Sequence, residues 1–322
     1  GPRRAGQRAE ARQRARELLR NAVVESPARE VELRQMLAQH RLWLDGVLGG
    51  RRAELDDVEA ENLVLGAVRL DQARLYRVAW PCCEVRDSSW AGAEAALCDF
   101  RLGHFAGAEL SGSSWVRCRF DSASLSGANL CESRLDGCSF EQARAPGSRW
   151  HESTLARCAF TGARLTQAAF QHVSLLECGY ADADLERALF YRARLMFCRF
   201  ANSVANEANF SFSQLQNCEF DGARLRQARF GSARLSGTYF RRCDLVEADF
   251  RSANLRNTRF DGSRLEGARF QDAILFGADF RGADLCGARD LTGRHLAQAY
   301  TDASTILPSG VHGPYMRNSG AE

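Results

Sequence analysis

From residue 55 to residue 285 every fifth residue is apolar or aromatic, a run of 47 positions without one slip of register. Leu and Phe fill most of these pentad centres. Ala60, Ala95, Ala145 and Ala205 are the small exceptions, and Val85, Tyr180 and four tryptophans vary the rest. Two residues before each centre stands something small, usually Ala, Ser, Cys or Gly, and the remaining positions are mostly polar. The stretch DGARLRQARFGSARL (221–235) shows the pattern three times over. A period of five fits neither a helix at 3.6 nor a flat strand at 2. Strict internal repetition predicts a solenoid, in which each repeat buries its apolar face only against its neighbours.

A slower rhythm sets the number of sides. Cys98, Cys118, Cys138, Cys158, Cys178, Cys198 and Cys218 recur every twenty residues, and Thr238 and Thr258 continue the column. Twenty residues are four pentads, so one turn has four sides. Turns stacked at strand spacing, about 4.8 Å, give about twelve coils and a rod about 55 Å long. From Leu155 to Leu285, Leu and an aromatic alternate at the centres in a ten-residue beat broken only at Ala205.

The segments GADFRGADL (277–285) and EADFRSANL (247–255) closely match the pattern of the pentapeptide-repeat family, and RLMFCRF (194–200) matches it loosely. The chain resembles that family over about 230 residues. The resemblance implies an all-β solenoid, a right-handed quadrilateral β-helix, with the small residue and the central Leu or Phe turned inward. Handedness follows from the resemblance alone.

Three parts are expected: a helical region over 1–52 that caps the first coil, the β-helix over 53–288, and a C-terminal cap and flexible tail over 289–322. Residues 7–25 read as a solvated helix, and Ser26-Pro27 as the start of another. Leu33, Met36, Leu37, His40, Trp43, Leu44 and Val47 follow at helical spacing until Gly49-Gly50. This stripe is expected to plug the first coil, whose edge would otherwise invite end-to-end pairing. A short helical stretch around 292–300 resembles the C-terminal cap of such arrays, with a mobile tail expected from Ser309. Gly1-Pro2 reads as a scar of tag removal, which leaves open a leader or domain ahead of it.

Composition narrows the chemistry. All 43 basic residues are arginine, and the net charge is only +3. Without lysine there is no Walker A loop, lysine Schiff base or Ser-Lys dyad. The six histidines share no column and form no H-E-x-x-H, and no C-x-x-C pair exists among the twelve cysteines. The cysteine column reads as packing in a dry interior, and free thiols favour a reducing, cytoplasmic compartment. No catalysis, cofactor or metal is expected, and no apolar run is long enough to span a membrane. Arginines preceding the centres stack against acids twenty residues away: Arg224, Asp244, Arg264 and Asp284 form one alternating column, and Arg229, Asp249 and Arg269 another. Such ladders cancel the field that would attract phosphate, which argues against nucleic acid.

A rigid four-walled rod is suited to presenting surface to another protein. The expectation is a non-catalytic bacterial interaction scaffold or adaptor, by resemblance accessory to type VI secretion (effector loading) or itself an effector. The alternative is a DNA mimic that binds gyrase or topoisomerase and confers drug resistance. Of nineteen phenylalanines, only Phe197, Phe212 and Phe276 lie off the centres and are expected to face outward. With Leu176, Leu189, Tyr191 and Met196, the first two outline a candidate protein-binding patch around Leu195, with a homodimer contact as a further reading. Phe276 lies four coils from Met196 and stands apart.

Overall fold

The computed structural model describes residues 30–316; the segments read above as a solvated helix (7–25) and as the Ser26-Pro27 helix start lie outside them. Four-sidedness is visible in the backbone pairing. Residues 54, 59, 64 and 69 each begin a column whose members pair in parallel with the residue twenty positions on, as far as Ile274, Asp279, Asp284 and Arg289. The wall centred on Leu55 is the most regular. Its strands are β1 (Glu54–Asp56), β2 (Arg74–Tyr76), β3 (Glu94–Ala96), β4 (Ser114–Val116), β5 (Arg134–Asp136), β6 (Thr154–Ala156), β7 (Ser174–Leu176), β8 (Arg194–Met196) and β9 (Gln214–Gln216). They form one nine-stranded parallel sheet in sequence order. Nine strands are fewer than the about twelve coils the period predicts, because beyond β9 the same wall continues only as single bridges, Gln214↔Arg234, Arg234↔Asn254 and Asn254↔Ile274.

Each pentad is three residues of wall and a corner. At nearly every corner the second residue after the centre has positive φ, from Asp57 at 55° to Asp272 at 56°, and glycine holds many of these sites. A non-glycine side chain there strains the backbone by about 1 kcal/mol or more. The corner N–H donates to a carbonyl of the next coil, as Phe197 does to Gln216 at 2.9 Å, so the turn is also a rung.

All pentad centres are buried except Ala60 and Leu65, in the first coil, which are partly so. The alternation of Leu and aromatics becomes two facing ladders of rings. Phe200 stacks on Phe220 at 4.5 Å and Phe190 on Phe210 at 4.7 Å, and the ladders meet edge to face, as Phe210 and Phe220 do at 5.6 Å. Such offset and T-shaped pairs add to the burial of each ring.

Tryptophan brings an indole N–H into this dry interior, and the small residue two places before it supplies the acceptor. Trp90, Trp115 and Trp150 donate to the hydroxyls of Ser88, Ser113 and Ser148 at 2.7, 2.5 and 2.8 Å. Each serine hydroxyl in turn donates a hydrogen bond to the carbonyl three residues back, that of Val85, Leu110 or Ala145. Trp80 is preceded by Val78 instead, and its indole N–H has no partner.

The cysteines from 98 to 218 stand where the twenty-residue beat put them, buried in one column, and all twelve cysteines are free. Their thiols donate to carbonyls, Cys158 to Ala156 at 3.4 Å and Cys98 to Ala96 at 3.3 Å. Hydrogen bonds from neighbouring thiols and burial push Cys158 and Cys198 up, and burial, with nearby carboxylates, pushes Cys83 and Cys243 up to about 12. The whole column is buried, so reagents reach these thiols only when the coils open. A native-state titration with a disulfide reagent is expected to label exposed Cys286 and, more slowly, half-buried Cys82 and Cys131, while Cys118, Cys158 and Cys198 react only on unfolding. Fast labelling of those three in the folded protein would refute the register.

At the N-terminal end α1 (residues 30–44) turns Leu33, Leu37 and His40 onto the first coil, while Met36 and Val47 of the expected stripe face out. His40 is fully buried and stacks on Trp43 at 5.5 Å; its Nδ1 accepts the backbone N–H of Ala53 at 3.0 Å. The imidazole thus stands in for the carbonyl three residues back, to which the equivalent N–H groups of Ala73 and Ala93 donate at 3.0 Å, and burial lowers its pKa. Gly50 ends this segment because a Cβ there would lie 2.2 Å from the backbone nitrogen of Trp43. At the other end α2 (Gly293–Leu296) is a single turn, shorter than the stretch expected. Ile306 and His312 then pair antiparallel and Tyr315 packs against the core, so the chain from Ser309 to Tyr315 is tied to the last coil rather than trailing from it.

Candidate interaction surface

Phe197 and Phe212 both occupy corners at positive φ, 54° and 60°, and about half of each side chain is exposed. They flank the wall of β1–β9 on opposite sides. Phe212 turns the chain into β9, and Phe197 turns it away from β8. The structure brings Phe212 edge to face against Tyr191 at 5.5 Å, one coil below. Tyr191 in turn meets His172 at 6.3 Å, and the guanidinium of Arg192 lies 5.2 Å from its ring. His172 was not singled out from the sequence, although it shares a corner column with Arg192 and Phe212 at twenty-residue spacing.

The second half of the patch lies across the wall. Phe197 rims a shallow hollow of about 480 Å³ with Glu177, Cys178, Gly179 and Arg199, open because Gly179 puts no side chain there. Met196 is exposed on β8, and Leu176 pairs with it from β7, half-buried. Leu189 is half-buried and bridges Asn209. The six residues thus form two apolar corners joined by a strip of flat wall. Phe276 is exposed well above them, apart from either corner.

Charges around the patch are paired differently from the ladders expected. Arg264 does reach Asp244 across coils at 3.6 Å, but its shorter contact is to Glu266 of its own pentad at 2.9 Å. Arg229, Asp249 and Arg269 form no ion pair with one another among the described residues; Asp249 binds Arg251 at 2.6 Å. Asp99 with Arg101 and Asp279 with Arg281 repeat the arrangement. Within one wall, residues either side of a centre both point outward. The carboxylate can therefore take both the guanidinium and the backbone N–H of the residue two places on, as Asp279 takes those of Arg281. The hydrogen bond from Arg281 holds Asp279 below the usual carboxylate range. Among the described residues, no three His, Cys, Asp or Glu side chains converge as metal ligands would.

Profiles of known families complete the description of this surface. One described as "Pentapeptide repeats (8 copies)" matches residues 98–137, 133–171, 233–272 and 253–289, and one described as "Pentapeptide repeat region" matches 173–250. Between them they span more than half of the chain. The protein belongs to the pentapeptide-repeat family. No curated protein matches this pentapeptide-repeat chain. Among solved structures it is similar to HetL, a pentapeptide repeat protein involved in heterocyst differentiation regulation from the cyanobacterium Nostoc sp. strain PCC 7120. The identity is 22%, covering 85% of this chain and 97% of HetL, with a TM-score of 0.35. It is also similar to Rfr23 from the cyanobacterium Cyanothece 51142, at 25% identity over 35% of this chain and 89% of that one, TM-score 0.33. A third is QnrB1, a plasmid-mediated fluoroquinolone resistance protein, at 14% identity over 67% of this chain and 90% of that one, TM-score 0.31. No helix among the described residues of this pentapeptide-repeat protein is long and apolar enough to cross a membrane.

Proposed function

We propose that the protein is a non-catalytic scaffold or adaptor of the bacterial cytoplasm that binds another protein through Leu176, Leu189, Tyr191, Met196, Phe197 and Phe212. The observation that carries this reading is the pair of half-exposed phenylalanines at positive-φ corners. Glycine or asparagine serves these corners elsewhere at less strain, so an exposed aromatic there costs backbone energy without gaining burial. Clustered apolar surface of this kind marks contact sites, and aromatic anchors often carry much of the binding energy. Loading of a type VI secretion effector, or delivery as an effector, is the pathway proposed. Binding of gyrase or topoisomerase as a DNA mimic is the weaker reading, because the arginine–carboxylate pairs leave no continuous acidic face.

The test compares wild type with the double variant Phe197→Ser/Phe212→Ser as baits in extract of the native host. Both substitutions are at the surface, so the circular dichroism spectrum is expected to be unchanged and the unfolding free energy to stay within about 0.5 kcal/mol of wild type. A partner retained by wild type is expected to fall at least about tenfold with the variant, the equivalent of 1.4 kcal/mol. Equal retention by both removes the patch from consideration. Inhibition of gyrase supercoiling by wild type would favour the DNA-mimic reading instead.

A further inference from the structure

The flat outer face of the β1–β9 wall carries a pattern that the corner patch does not explain. In each strand the central residue points inward and the third points out. Three apolar residues occupy the outward position on β2–β4 (Tyr76, Ala96, Val116) and three more on β6–β8 (Ala156, Leu176, Met196). Asp136 on β5 divides the two triplets, and Asp56 on β1 and Gln216 on β9 end the series. The order is the same read in either direction: polar, three apolar, Asp, three apolar, polar. It spans the whole length of the regular sheet and stops where the strands give way to single bridges.

We infer that this face pairs with the same face of a second copy of the chain, antiparallel, about a two-fold axis lying along β5. Such an axis reverses the order of coils but keeps the column, so each apolar residue meets an apolar one. Val116 faces Ala156, Ala96 faces Leu176 and Tyr76 faces Met196, a small residue against a larger one in the first two pairs. Turning the second copy about the rod axis instead would set Tyr76 against Arg74 and Met196 against Arg194. At the two-fold axis Asp136 lies opposite its own copy and Arg134 opposite its own copy, and each Arg134, which forms no ion pair among the described residues, offsets the facing carboxylates by reaching diagonally to the second copy's Asp136, whose own contact is Arg157. The same operation brings Arg194, likewise without a carboxylate partner among the described residues, level with Arg74. That arginine already lies between Glu54 at 3.5 Å and Glu94 at 3.3 Å, so the approaching cation meets carboxylates as well. Isologous contacts of this kind are the commonest way homodimers form. Eight strand spacings by one wall width amount to about 600 Å² per copy, the lower edge of a stable interface, so the dimer is expected to be weak and concentration-dependent. It uses the flat face and needs neither Phe197 nor Phe212.

Sedimentation velocity of the full chain should show dimer growing in between about 1 and 100 µM. Val116→Glu alone and Ala156→Arg alone each put a charge into the apolar series and are expected to be monomeric, with unchanged circular dichroism. Mixed one to one they are expected to dimerise with each other. The new carboxylate of one chain then faces the new guanidinium of the other, while the second Val116–Ala156 contact stays intact. A wild type that remains monomeric at about 100 µM overturns the pairing and leaves the face to a foreign partner. Singles that still dimerise, or a mixture that stays monomeric, overturn the antiparallel register. Leu176 and Met196 belong to both surfaces, so the monomeric single variants are expected to retain the host partner at least as well as wild type, whereas Phe197→Ser/Phe212→Ser is expected to lose the partner and keep the dimer, which separates failure of this inference from failure of the corner patch.

Discussion

Tyr180→Phe is expected to stabilise the protein by about 1–3 kcal/mol, the cost of a buried hydroxyl left without a partner. Tyr180 is fully buried between Phe160 at 4.8 Å and Phe200 at 4.9 Å, and its hydroxyl makes no hydrogen bond. Burial raises its pKa well above the ordinary value, so the phenol stays protonated and keeps an idle donor in an apolar stack. Every other aromatic of this ladder from Phe100 to Phe280 is phenylalanine. The expected rise is in the urea midpoint at unchanged spectrum, and the reverse change Phe200→Tyr should lower it. A Tyr180→Phe protein no more stable than wild type would mean that the hydroxyl is satisfied after all.

Phe220→Ala is the substitution expected to cost most, about 3–5 kcal/mol from lost transfer and the void left behind. The Phe220 ring stacks on Phe200 at 4.5 Å and on Phe240 at 4.9 Å and meets Phe210 edge to face at 5.6 Å. Its loss therefore breaks one ladder and unseats the other. Because each coil contacts only its neighbours, the damage should be local. Amide hydrogen exchange should accelerate most in residues 195–245 and least near the ends. Uniform acceleration along the rod would show instead that it unfolds as one cooperative unit.

The fold was legible because one number, five, fixes which residues face inward, and another, twenty, fixes which are neighbours. Cys158 and Phe220 could be placed from those two numbers alone. The ion pairs were harder to read. The columns of Arg224 and Arg229 weighed only neighbours in adjacent coils, whereas Asp249 and Asp279 chose the arginine two places along the same wall. The cap was half legible: the spacing of Leu33, Leu37 and His40 marks a helix face, but nothing local says that His40 accepts from Ala53, thirteen residues on. The outward exposure of Phe197 and Phe212 was legible because they are phenylalanines off the pentad centres, while His172, beside Tyr191, escaped because histidine is not apolar. The serine beneath each buried tryptophan was visible all along, in S-x-W at 88–90, 113–115 and 148–150.

A rod with four walls and a five-residue side changes length only in fixed quanta. Loss of a single residue within the array would turn every later centre toward solvent and every later corner into a wall. Loss of five keeps the core intact but rotates everything beyond it by a quarter turn, so Phe212 would no longer flank the wall that begins at Leu55. Only a loss or gain of twenty returns each side chain to its own column. Surface features on such a molecule are therefore addressed by angle and height separately, and duplication of one coil slides two docking points apart without turning either away from its partner.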